Sequence, residues 1–122
     1  TGFGLAGHLL EVASASGLRA ELDMAKVATY DPERLRALYL QFCLPNLTTT
    51  NYRAIQSDSS PMDGYTMAVL CDPQTSGGLL VFASADAAPH VREALAAQGL
   101  NAEPIGRMHD FDAEVPRLSF TE

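Results

Sequence analysis

Several things are scarce in this sequence, and each scarcity closes off a class of protein. Cysteine occurs twice, at Cys43 and Cys71, with no metal-like spacing. That excludes a disulfide framework and a cysteine zinc site, and it fits free thiols in a reducing cytosol. Lysine and arginine total 8 against 15 acidic residues, which leaves a formal charge of −7 and no basic cluster. This argues against a nucleic-acid or anionic-membrane surface. A phosphate ligand would need backbone amides or a metal ion to offset its charge. No apolar run approaches the length of a membrane span. No basic segment marks a signal peptide, and no methionine precedes Thr1. The chain opens directly into the helix-like "TGFGLAGHLLEVA", which reads as a fragment whose upstream part is missing.

What is present suits one globular domain: 122 residues, 47% hydrophobic and 19% charged. Phe3, Leu5, Ala6, Leu9, Leu10, Val12 and Ala13 recur at helical spacing, and Gly17 stands where a left-handed cap would end the helix. Leu18, Ala20 and Leu22 then alternate with Arg19, Glu21 and Asp23, the pattern of a half-buried strand. Asp31-Pro32 is a helix start, with Leu35, Leu38 and Phe42 expected on one face and Pro45 as the stop.

From Asn46 to Gly64 the polar composition predicts a loop with a short ordered piece near "YRAI". "YTMAVLC" fits a helical turn or a strand. "GGLLVFAS" predicts a buried strand, and "ADAAPHVREALAAQG" a helix with Val91, Leu95 and Ala96 inward and Gly99 as its stop. "AEPIGRM" and "VPRLSF" predict two strands separated by the acidic "HDFDAE", with Pro104 and Pro116 pointing to edges or strand starts. The order of elements predicts an α+β domain, a mainly antiparallel or mixed sheet covered by helices, spanning residues 1–122.

Two glycine-containing stretches bear on chemistry. Gly2 and Gly4 fall at the first turn of the first helix, where free N–H groups and the positive dipole end suit an anion. The alternative is close packing of that helix end on a neighbour, and on this feature alone packing is the stronger reading. In Asp72–Gly78, Ser76, Gly77 and Gly78 are able to present successive N–H groups to an anion, with Thr75 and Ser76 adding hydroxyls and Gln74 an amide. A tight turn with its glycines at positive φ explains the same residues equally well.

His8 has no neighbouring ligand partner, so it reads as a hydrogen-bonded or interface histidine. His90 and His109 read as surface residues, and Asp110, Asp112 and Glu114 as a solvated turn. No nucleophile–base–orienter set appears, which argues against a self-contained hydrolase.

Taken together, "TGFGLAGHL" and "CDPQTSGGLL" resemble the C-terminal domain of the selenophosphate synthetase (selenide, water dikinase) family, within the aminoimidazole ribonucleotide synthetase-like superfamily. The resemblance runs through the chain in order and includes "PNLTTTN"; the family carries two glycines where this chain has Asn46 and Leu47. It implies conversion of ATP, selenide and water to selenophosphate, AMP and phosphate, with magnesium bridging the phosphates, in the cytoplasm, for selenocysteine and selenouridine synthesis. It places the family's Cys-or-Sec and Lys pair, most ATP-binding residues and the homodimer core in an N-terminal domain, and a metal-binding aspartate just upstream of Thr1. No catalytic residue is then expected within 1–122, and the fragment alone is expected to be inactive, with no cofactor bound. Gly2, Gly4, Thr48, Asn51, Thr75, Ser76, Gly77 and Gly78 become the candidates for a cleft facing ATP and the N-terminal domain. A thiamine monophosphate kinase-like enzyme and a non-catalytic binding or regulatory relative are the alternatives.

Overall fold

A computed structural model describes residues 1–27, 31–100 and 103–121. The chain forms α1 (Gly4–Ala15), β1 (Leu18–Asp23), α2 (Pro32–Leu40), α3 (Asn46–Ile55), α4 (Gly64–Leu70), α5 (Ala88–Ala96), β2 (Gly106–Asp110) and β3 (Leu118–Thr121). The three strands make one sheet in the order β2-β1-β3. β1 runs antiparallel to β2, with Ala20 opposite Met108, and parallel to β3, with Ala20 opposite Leu118. The α+β expectation holds, and the sheet is mixed.

The alternation read in β1 is the one observed. Ala20 and Leu22 are buried, while Glu21 between them is half-buried. The core joins them to Ala6, Leu9 and Ala13 of α1, to Ile55 of α3, to Leu70 and Cys71 at the end of α4, and to Leu118 of β3. Alanine at 6 and 13 keeps the contact face of α1 shallow, so its backbone approaches its neighbours closely. Each fully buried leucine in this cluster contributes about 1.5–3 kcal/mol relative to exposure. Gly17 ends α1 at φ 65°, as expected.

α2 starts where the sequence indicates. Asp31 accepts a hydrogen bond from the Arg34 backbone N–H at 2.9 Å, with Pro32 in the first turn. Its end differs. The helix stops at Leu40, and Phe42 takes φ 56° as the left-handed residue of a terminal motif in which Cys43 N–H bonds Leu38 O and Phe42 N–H bonds Tyr39 O. Phe42 is therefore off the helical face and 95% exposed. Leu35 and Leu38 are half-buried.

Four other expectations need correction or resolution. The polar segment expected to be a loop is the helix α3. Its inward face is Thr48, Asn51 and Ile55, so helical periodicity is carried partly by polar side chains, which an apolar-pattern reading passes over. "YTMAVLC" resolves as the helix α4, with Asp63 as N-cap accepting from Thr66 N–H at 2.7 Å. "GGLLVFAS" is not a strand: Leu79 is 92% exposed, and Val81 and Phe82 are exposed too. Both edges of β1 are already occupied by β2 and β3, so this segment has no central edge to join. α5 forms with Gly99 at φ 74° as its stop, but Val91 and Leu95 are only half-buried and Ala96 is exposed.

β2 and β3 confirm the two terminal strands, each at a sheet edge and each preceded by its proline, Pro104 and Pro116. The N-terminal end of β3 is tied further by Asp58–Ser60. Leu118 N–H bonds Asp58 O, and Ser60 N–H bonds Leu118 O, both at 2.8 Å.

Candidate functional site

Three stretches far apart in sequence meet at the N-terminal end of α1. The Gly2 N–H donates to the Gln74 carbonyl at 3.0 Å. The Asn51 side chain donates from Nδ2 to the Gly2 carbonyl at 2.7 Å and to the Cys71 carbonyl at 3.0 Å. Gly4 lies directly on the backbone where α4 runs into Cys71. "TGFG", "PNLTTTN" and "CDPQTSGG" are thus joined by backbone and carboxamide bonds.

Local chemistry explains each part. Gly2 and Gly4 adopt φ values of 91° and 76°, in the region that L side chains rarely enter. The chain turns sharply into α1 through these two residues. Phe3, the N-cap, offers no side-chain hydrogen bond to the helix, so the first N–H groups of α1 lack a side-chain cap. For Gly4 the close-packing reading is realised, since any Cβ there would overlap Leu70 and Cys71.

The eight candidate residues fall into two groups. Gly2, Gly4 and Asn51 belong to the packed junction, and Thr48 lies beside Asn51 on the inward face of α3. Thr48 is 1% exposed, with an Oγ1 that has no hydrogen-bond partner, and Asn51 is 9% exposed. Thr75, Ser76, Gly77 and Gly78 form an exposed loop running outward from it. Neither Gly77 nor Gly78 adopts a positive φ, so a turn that depends on left-handed glycines is not what forms. Gln74 N–H turns back on Asp72 O at 2.9 Å instead. The residue the sequence did not single out is Cys71. It is fully buried, its carbonyl receives Asn51, and burial pushes its thiol up to about 11.

The remaining polar candidates lie elsewhere. His8 bonds Glu11 through Nδ1 at 3.2 Å and leans on Phe3, consistent with a hydrogen-bonded histidine. His90 is exposed. His109 is not a plain surface residue: it is part of β2, paired with Arg19, and its Nε2 is buried without a partner. Asp112 and Glu114 are exposed between β2 and β3, as expected, whereas Asp110, though exposed, is the last residue of β2 and pairs with Leu18 instead of lying in the turn. Among the described residues no group of three or more His, Cys, Asp or Glu side chains is placed to hold a metal ion. Cys43 and Cys71 are both free thiols, and no helix of the described residues is long and apolar enough to cross a membrane.

Residues 1–117 match the family model "AIR synthase related protein, C-terminal domain". A protein named "Selenide, water dikinase" from Pasteurella multocida is 36% identical over 118 residues, covering 97% of this chain and 33% of that protein. Its namesake from Aeromonas hydrophila is 39% identical over 108 residues, covering 88% and 31%. The one from Shewanella sp. strain MR-4 is 49% identical over 89 residues, covering 71% and 24%. The resemblance to the selenophosphate synthetase family is borne out by these matches. The chain spans about a third or less of the length of these relatives.

Proposed function

The chain belongs to the AIR synthase related protein, C-terminal domain family, and on that premise we propose that it is the C-terminal domain of an ATP-dependent selenophosphate synthetase. The reaction converts ATP, selenide and water to selenophosphate, AMP and phosphate, and its product feeds selenium insertion into selenocysteine and selenouridine. The relatives named for selenide, water dikinase support this reading. The observation that carries it is that Asp72–Gly78, the stretch most particular to that family, is anchored at Gln74 to the Gly2 turn that opens α1.

In-line phosphoryl transfer asks a protein mainly to position phosphates and offset their charge. In this proposal the exposed hydroxyls of Thr75 and Ser76 donate to phosphate oxygens. Gly77 and Gly78 let the ligand approach the backbone. The N-terminal end of α1 adds partial positive charge from behind, which matters in a chain whose net charge is −7. Magnesium supplies charge neutralisation to such reactions when bound. The described residues do not assemble a set of ligands for it. A metal-binding aspartate is assigned to sequence just upstream of Thr1.

The nucleophilic Cys-or-Sec and Lys pair, the remaining ATP contacts and the homodimer core are likewise assigned to an N-terminal domain, and the whole protein to the cytoplasm. It follows that residues 1–122 alone do not turn over ATP; AMP formation by the isolated chain would contradict this. The deciding test is phosphorus NMR on the full-length gene product under anaerobic conditions with ATP, magnesium and selenide. A selenophosphate resonance rising together with AMP and phosphate is the expected result. ADP in place of AMP, or no selenium-dependent product, would move the assignment to another kinase of the superfamily or to a non-catalytic relative.

A further inference from the structure

We propose that Asn51 is a positioning residue of this phosphotransfer site, one that acts by clamping the entry of α1 and the Asp72–Gly78 loop into a single unit without touching the ligand. The inference rests on the functional reading above. Its own basis is the use made of the carboxamide. Both bonds leave the same nitrogen, one to Gly2 O at 2.7 Å and one to Cys71 O at 3.0 Å. A primary amide has two N–H donors on one atom, spread in a fixed plane, which is what two converging carbonyls require. Asp has no donor when ionised, Ser has one, and Gln is longer by a methylene.

The clamp is closed from the other side by the Gly2 N–H to Gln74 O bond. Gly2 is thus held through both its N–H and its carbonyl, by Gln74 within the proposed phosphate loop and by Asn51 of α3. Without the amide, the Cys71 carbonyl would be left buried and unpaired and the Gly2 carbonyl partly so. The α1 entry would then be free to shift against the loop. Displacements of about 1 Å in a positioning element cost catalysis up to about a hundredfold. Cys71, the ionisable neighbour in this junction, stays neutral over the working range because burial holds its thiol near 11.

The test uses the full-length protein with Asn51→Asp and Asn51→Ala, assayed for selenide-dependent AMP formation between about pH 6 and pH 8. An aspartate placed between two carbonyls donates only when protonated. Asn51→Asp is therefore expected to lose about tenfold to a hundredfold in kcat near pH 8, with KM for ATP within about twofold. Its activity relative to wild type should recover in part as the pH falls, since a protonated carboxyl offers one O–H where the amide offers two N–H, whereas the ratio for Asn51→Ala stays low and flat. Wild-type kcat in either folded variant, or a flat ratio for Asn51→Asp, overturns the proposal.

If the variants do not fold, selective ¹⁵N-asparagine labelling of the wild type decides. Slow exchange of both Asn51 amide hydrogens supports the clamp, and exchange at the free-amide rate overturns it. A wild type that forms no selenide-dependent AMP overturns the functional reading and this role with it. An active wild type with unaffected variants overturns this role alone.

Discussion

The backbone of Gly4 rests against that of Leu70 with no room between them. A Cβ at Gly4 would stand 2.5 Å from the Leu70 carbonyl oxygen and 2.7 Å from the Cys71 Cα. Gly17, at the other end of the same helix, also has positive φ but nothing within 4 Å of the same point. The pair separates two costs of losing glycine. Gly17→Ala is expected to lose about 1–2 kcal/mol for the left-handed conformation alone. Gly4→Ala adds about 1–3 kcal/mol of overpacking. Denaturant midpoints for the two variants give the comparison, and equal losses would mean that the close approach does not exist.

Cys71 makes a prediction about alkaline pH. Its folded-state value of about 11 lies above the ordinary value of 9.0, because burial disfavours the thiolate. The native state therefore holds this proton after the unfolded chain has released it. The contribution is complete below about pH 9 and is lost as pH rises towards 11, at up to about 1.4 kcal/mol per pH unit. Unfolding free energy should fall over that window, and Cys71→Ala should flatten the slope. Alkylation at neutral pH should label the exposed Cys43 and spare Cys71 until the chain unfolds.

Asp63 makes the opposite prediction at the acid end. Its carboxylate caps α4 by accepting from the Thr66 backbone N–H and side chain, and these bonds hold its pKa below the usual 3.8. The stabilisation is present above about pH 4 and is lost as pH falls through the depressed native value. Asp63→Ala should cost about 1 kcal/mol at neutral pH. Asp63→Asn should keep most of the cap while removing its acid sensitivity, as read by thermal unfolding across that range.

The exposed Leu79 and the buried Leu70 test the corrected reading of "GGLLVFAS". Leu79→Ala should change stability by no more than about 0.5 kcal/mol. Leu70→Ala should cost about 2–5 kcal/mol, the range for emptying a packed leucine site. Urea denaturation of the two variants is the measurement. A large loss at Leu79 would return that segment to the core.

These contrasts show what was legible in the sequence. α1 with Gly17, β1 with its alternation, the Asp31-Pro32 start and the Gly99 stop all carry their signal within a few neighbouring residues, so local chemistry is enough. α3 was not legible because Thr48 and Asn51 occupy inward positions where apolar residues are usually sought. The usable sign was the spacing of Thr48, Asn51 and Ile55, which repeats with the helix whatever the polarity. "GGLLVFAS" has strand composition, but a strand also needs an available partner edge, and no local pattern reports whether one is free. The candidate site was legible as motifs and not as a place. Its bonds run from Asn51 to Gly2 and Cys71, between a side chain and distant backbone groups whose positions depend on the finished fold.

The sheet order has a consequence for how the chain is made. β1 is complete before any of the helices α2 to α5, yet Leu18 pairs with Asp110 and Ala20 with Leu118. Neither edge of β1 is satisfied until β2 and β3 have been translated, after all of those helices. While the ribosome works through the intervening helices, β1 has no strand partner, and its two buried side chains lack most of their cover. Closure is then a late, long-range event paid for in loop entropy. Nascent chains stalled before residue 118 should be open to proteases at β1, and removal of Leu118–Thr121 should be felt most strongly at β1, about a hundred residues earlier.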